Sequence, residues 1–172
     1  MKILILYYSK TGFTKRYASW LSEETGGDLI PLKKAGHTCW DKYDIVVLAS
    51  RFHAGRIQKL SWFKKHVLSV NRRIVMVTGA MPAGEPDIDK AIRQNFPADR
   101  DKYAVFYLPS GLCYEKMGAI DRLMMKAFCS MMQKKPDKTP AEQAIAQAIT
   151  SSFDNSSKEY LKPVVTFLQK NG

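Results

Sequence analysis

Apolar residues along this chain gather in short unbroken runs, separated by polar turns and by stretches with helical periodicity. Lys2 to Tyr8 (KILILYY), Tyr43 to Ser50 (YDIVVLAS), Arg72 to Thr78 (RRIVMVT) and Tyr103 to Pro109 (YAVFYLP) are aliphatic or aromatic without strict alternation. That is the form a strand takes when helices cover both faces of a parallel sheet. Asp28 to Leu32 is a weaker fifth run. Helical patterns lie between them, over Thr14 to Glu24, Ile57 to Leu68 and Ile88 to Asn95, and again over Ser157 to Gln169. Strand and helix in alternation imply right-handed crossovers. The expected fold class is therefore α/β, a doubly wound five-stranded parallel sheet in strand order 2-1-3-4-5.

Two regions exceed this minimal plan. Met117 to Met132 places Met117, Ile120, Met124, Ala127, Phe128 and Met131 at helical spacing, with Arg122, Lys126 and Gln133 to one side. It reads as an extra helix after the last strand, packed as a cover over the sheet edge. The neighbouring Lys116, Arg122, Lys126, Lys134 and Lys135 leave peripheral contact with a membrane or a partner as the alternative. Lys134 to Pro140 reads as a solvated connection and Ala141 to Thr150 as a short helix.

Length and charge narrow the class. With 172 residues and 45% apolar content, the chain suits one domain, 1–172, around one core. The apolar run Ile3 to Tyr8 is too short for a secretory core or a membrane span, which favours a cytoplasmic protein. Cys39, Cys113 and Cys129 form no C-x-x-C pair and suit reduced thiols, with burial among apolar residues the expectation for Cys113. His37, His53 and His66 show no metal-ligand spacing, so no metal site is expected. A net charge of +11 attracts anions of many kinds. A nucleic-acid-binding module is allowed by that charge, but no helix-turn-helix, zinc finger or aromatic-basic sheet motif supports it. A phosphoacceptor receiver domain is excluded, because Ser9-Lys10 and Ser50-Arg51 stand where it needs acidic residues.

Ligands of a doubly wound sheet collect beyond the C-terminal ends of its strands. The first such loop, Ser9-Lys10-Thr11-Gly12-Phe13-Thr14, supplies the hydroxyls of Ser9, Thr11 and Thr14, a turn-permitting glycine, and the N–H groups of a helix opening near Thr14. These are the parts that wrap a phosphate. Neither the G-x-x-x-x-G-K-[ST] of a nucleotide triphosphatase nor the G-x-G-x-x-G of a dinucleotide fold is present, so a monophosphate fits best. An ordinary strand-to-helix turn with a Ser or Thr cap is the plainer reading of the loop.

The loop resembles that of the flavodoxin family, whose FMN phosphate loop follows the first strand as [ST]-x-T-G-x-T, matched here by Ser9, Thr11, Gly12 and Thr14. The resemblance implies a flavodoxin-like fold with FMN as cofactor. It also implies that two further loops flank the flavin ring, Ser50-Arg51-Phe52-His53-Ala54-Gly55 and Thr78-Gly79-Ala80-Met81. More widely, residues 1 to 132 are similar to the basic flavodoxin-domain proteins of the menaquinone-dependent protoporphyrinogen dehydrogenase type. The similarity rests on Arg51 and Gly55 before Ile57, and on Pro109-Ser110-Gly111-Leu112-Cys113-Tyr114 leading to Ile120-Asp121-Arg122-Leu123-Met124. The lead-in is less basic and less aromatic here than in that group. The resemblance implies a redox role with a partner protein or a quinone: two-electron oxidation of an organic donor, or else one-electron carriage between proteins. Oligomeric state stays open. Arg51, His53 and Arg56 fall in the second loop, and a fixed positive charge ~6 Å from the ring at an effective dielectric of about 20 is worth roughly 2 to 3 kcal/mol, on the order of 100 mV. Reduction is thus expected to be easier than in an acidic carrier, unless these charges form a solvated rim.

Overall fold

A computed structural model of the protein describes residues 1–170, the side chains of His37 and Ala141 excepted. Its strands are β1 (Ile3–Tyr7), β2 (Asp28–Pro31), β3 (Ile45–His53), β4 (Arg56–Ile57), β5 (Arg72–Gly79), β6 (Ala104–Pro109), β7 (Gly111–Leu112) and β8 (Phe153–Asp154). Its α-helices are α1 (Phe13–Thr25), α2 (Leu60–His66), α3 (Pro86–Asn95), α4 (Ala119–Lys134), α5 (Pro140–Ala148) and α6 (Lys162–Lys170). The main sheet runs β2-β1-β3-β5-β6, every neighbouring pair parallel. β4 pairs antiparallel with the end of β3, and β7 with β8 in a small second sheet.

The unbroken apolar runs follow from burial on both faces. Leu4, Leu6, Val46, Leu48, Val75 and Val77 point to a layer with Phe63 of α2 and Ile88 and Ile92 of α3. Ile3, Ile5, Ile45, Val47, Ile74 and Met76 point to the other, with Tyr17 and Leu21 of α1 and Val164 and Leu168 of α6. Successive residues of one strand thus serve opposite cores. β3 lies between β1 and β5, and Ile45 to Ser50 are fully buried. Tyr17 fastens α1 to more distant chain: its hydroxyl donates to Pro109 O at 2.5 Å and accepts from Ser157 N at 3.1 Å.

The expected order 2-1-3-4-5 differs from the observed β2-β1-β3-β5-β6 because an unanticipated strand intervenes. A helix was expected from Ile57; instead β3 continues to His53, turns through Ala54 (φ 48°) and Gly55 (φ 72°), and returns as β4. Positive φ at both central residues marks the hairpin turn whose twist matches its strands. Asn95 clamps this hairpin, its Oδ1 accepting from Ile57 N at 2.9 Å and its Nδ2 donating to Gly55 O at 2.8 Å. α2 begins only at Leu60.

A second difference concerns α4. The helix forms, but its apolar stripe does not cover the sheet: Ile120, Leu123, Met124, Phe128 and Met131 are exposed, and Asp121 is its buried residue. Nor is Cys113 buried among apolar residues, since its Sγ donates to Glu115 Oε2 at 3.3 Å from a half-buried position. Among the described residues, no helix is long and apolar enough to cross a membrane.

Candidate functional site

The loops after β1, β3 and β5 come together at one end of the sheet because parallel strands present all their C-terminal ends on the same side. Gly12 caps α1 at φ 103°, a conformation that L side chains rarely adopt, and a Cβ placed there would meet open space rather than protein. Its N–H donates to Ser9 Oγ at 3.2 Å, which curls the loop over the helix start. No side chain caps α1, so its first-turn N–H groups face the loop without an intrahelical partner. Ser9 and Thr11 are half-buried and Lys10 is exposed. Phe13 is buried, with the Arg16 guanidinium over its ring at 5.7 Å.

Thr14 is tied to the end of β5. It is buried, and its hydroxyl lies 2.8 Å from that of Thr78. Thr78 in turn donates to Ser50 O at 3.3 Å, so Thr14 is the donor between the two hydroxyls. The chain Thr14, Thr78, Ser50 ties the first turn of α1 to the ends of β5 and β3. Ser50 Oγ is also engaged, donating to Gln58 O at 2.6 Å.

At the end of β3, Phe52 lies against Tyr107 of β6, with ring centroids 6.2 Å apart. Tyr107 donates to Met81 O at 2.9 Å, and burial pushes its phenol far above the usual range, so it stays a neutral donor. Gly79, the last residue of β5, admits the Tyr107 ring closely: a Cβ there would stand 2.6 Å from the Tyr107 hydroxyl. Gly79 O accepts from both Ser110 N (2.7 Å) and Ser110 Oγ (3.0 Å). Ala80 and Met81 are half-buried at the mouth.

Asp121, in the first turn of α4, joins the loops. Its Oδ2 accepts from Lys10 Nζ and from Arg51 Nη2, each at 3.3 Å, and its Oδ1 lies 3.9 Å from His53 Nε2. Burial raises the cost of its charge, but Arg51, Lys10 and His53 outweigh that and hold the carboxyl below its ordinary value. The cluster sets a carboxylate among the cations expected in the ring loop. One carboxylate faces Arg51 and His53, and Arg56 points to solvent. Arg51 is only partly used by this pairing: its Nε is buried without a hydrogen-bond partner. A buried unpaired donor is costly unless a ligand completes it.

Asp121, Tyr107 and Ser110 were not singled out as site residues from sequence. An acidic residue in the first turn of an otherwise basic helix was the available signal for Asp121. A surface cleft of about 500 Å³ between α4 and α5, lined by Gln133, Lys138, Gln143 and Thr150 among others, touches none of these loops.

Residues 4–139 match the model of the Flavodoxin domain family. The chain belongs to that family. A comparison with curated proteins finds no match. Among solved structures, this flavodoxin-domain protein is similar to an NAD(P)H:quinone oxidoreductase from Methanothermobacter marburgensis (11% identity, 81% of this chain and 98% of that one, TM-score 0.48). It is also similar to the Trp repressor binding protein from Bacillus subtilis (13%, 81% and 100%, 0.41) and to a flavodoxin from the domain Archaea (12%, 88% and 100%, 0.39).

Proposed function

We propose that this flavodoxin-domain protein binds FMN and works as an oxidoreductase that takes two electrons from an organic donor and passes them to a quinone. The observation that carries the reading is the [ST]-x-T-G-x-T loop, Ser9 to Thr14, set at the open N-terminus of α1 beside the loops after β3 and β5. Ser9, Thr11 and the N–H groups of the α1 start would hold the phosphate, with Lys10 adding positive charge. Residues Ser50 to Gly55 and Thr78 to Met81 would flank the ring, and the unpartnered Nε of Arg51 fits a polar edge there. Thr14 serves the site by fixing Thr78 rather than by offering a free hydroxyl. FMN, when bound, supplies the redox-active ring. Phe52 and Tyr107 keep one side of the mouth apolar, and Asp121 orients Lys10 and Arg51. The resemblance of Arg51, Gly55 and Asp121-Arg122 to the protoporphyrinogen dehydrogenase type names a tetrapyrrole precursor as the first donor to try.

The test is the visible absorption spectrum after saturation with FMN and removal of the unbound fraction. Near-stoichiometric flavin bands are expected, and Thr11→Asp, which sets a carboxylate in the anion loop, should abolish them while far-ultraviolet circular dichroism stays unchanged. A protein that retains no flavin overturns the proposal.

A further inference from the structure

An apolar ridge on a basic helix calls for an occupant. Ile120 is 76% exposed, Leu123 69%, Met131 60%, Met124 43% and Phe128 40%, all on α4. At 100° per residue they and Ala127 fall within an arc of about 140°, over a length of about 16 Å. Asp121, Met125 and Cys129 lie on the inward side of the same helix. Asp121 reaches Lys10 and Arg51, while Cys129 Sγ donates to Ile149 O at 3.3 Å. The helix is therefore held to the body by its other face, and the apolar ridge is left outward.

We infer that α4 seats this protein on an anionic lipid surface, lying in the plane of the interface with its apolar ridge among the headgroups and upper acyl chains. Charge points to that occupant. The one acidic residue of α4, Asp121, is turned inward, whereas Arg122, Lys126 and Lys134 stay exposed on the helix and Lys116 is exposed shortly before it; Lys135, just past its end, is paired with Glu142. The whole chain carries +11, which favours an anionic surface and opposes a second copy of itself. Chain chemistry agrees, because half of the ridge is flexible Met and Leu (Leu123, Met124 and Met131), which a fluid bilayer accepts without a matching groove. Docking is independent of whether FMN binds. It would also set the end of the sheet that carries Lys10 and Arg51 beside the bilayer, since Asp121 joins them to the docked helix.

The test is cosedimentation of the full chain with phosphatidylcholine vesicles, with and without phosphatidylglycerol. Binding is expected only with phosphatidylglycerol, falling steeply as salt rises. Lys126→Glu with Lys134→Glu should weaken it by about tenfold or more, and Leu123→Glu with Phe128→Glu should abolish it. Because these residues are exposed, circular dichroism should match the parent. A Phe128→Trp variant should show a blue shift on vesicle addition and quenching by brominated lipid. Absence of binding to anionic vesicles, equal binding to neutral ones, or undiminished binding by the Leu123→Glu, Phe128→Glu variant overturns the inference. So does lipid-free dimerisation that this variant abolishes, which would make a second copy the occupant.

Discussion

Asp121 gathers Lys10, Arg51 and His53 from loops far upstream, and its carboxyl is held below its ordinary value by their charge. The substitution Asp121→Asn keeps the shape and removes the charge. At neutral pH it should cost about 1 to 2 kcal/mol in urea unfolding, the loss of charge-assisted bonds at a largely buried position. Because the folded-state pKa is depressed, the stabilisation is complete above the unfolded value of 3.8 and disappears as pH falls through the folded one. The gap between wild type and variant should therefore close below about pH 3.8, and a gap that persists in acid would show that charge is not its source. None of this could be read from the sequence, since Lys10 and Asp121 are 111 positions apart. Thr14 shows the complementary case. Its motif position is local and legible, but its burial against Thr78 depends on how two strands align.

At the scale of elements, the strands were legible because both faces of the sheet are covered, which removes polar positions from the runs. The start of α2 was not. Ile57 continues the apolar periodicity of Leu60 and Phe63, yet Asn95 captures its N–H and makes it the end of a hairpin. Asn95→Ala would leave Ile57 N–H and Gly55 O without their partner, and a loss of about 1 to 3 kcal/mol is expected in denaturant unfolding. A variant as stable as the parent would mean that the hairpin holds without the clamp. α4 shows what periodicity reports: an apolar stripe on one side of a helix, and nothing of what covers it. The sequence reading set that stripe on the sheet edge, whereas the contacts of Asp121 and Cys129 turn it away.

Across the whole molecule, net charge was countable from sequence but its local arrangement was not. Arg51 and His53 meet a carboxylate at the site, while α4 keeps its cations outside. The end of the sheet on which a ligand would sit followed from the order of strands, whereas the choice of ring loops at that end came from the flavodoxin resemblance. Its central strand carries a separate consequence. β3 has a parallel neighbour on each side and fully buried side chains from Ile45 to Ser50. No local opening can free its amides without parting the sheet, so in deuterated water they should be the last to exchange, at the rate set by global unfolding. The β4 hairpin and α4 should exchange well before them, which would divide the chain into a slow inner unit and a fast rim, with the candidate site at the boundary of the two.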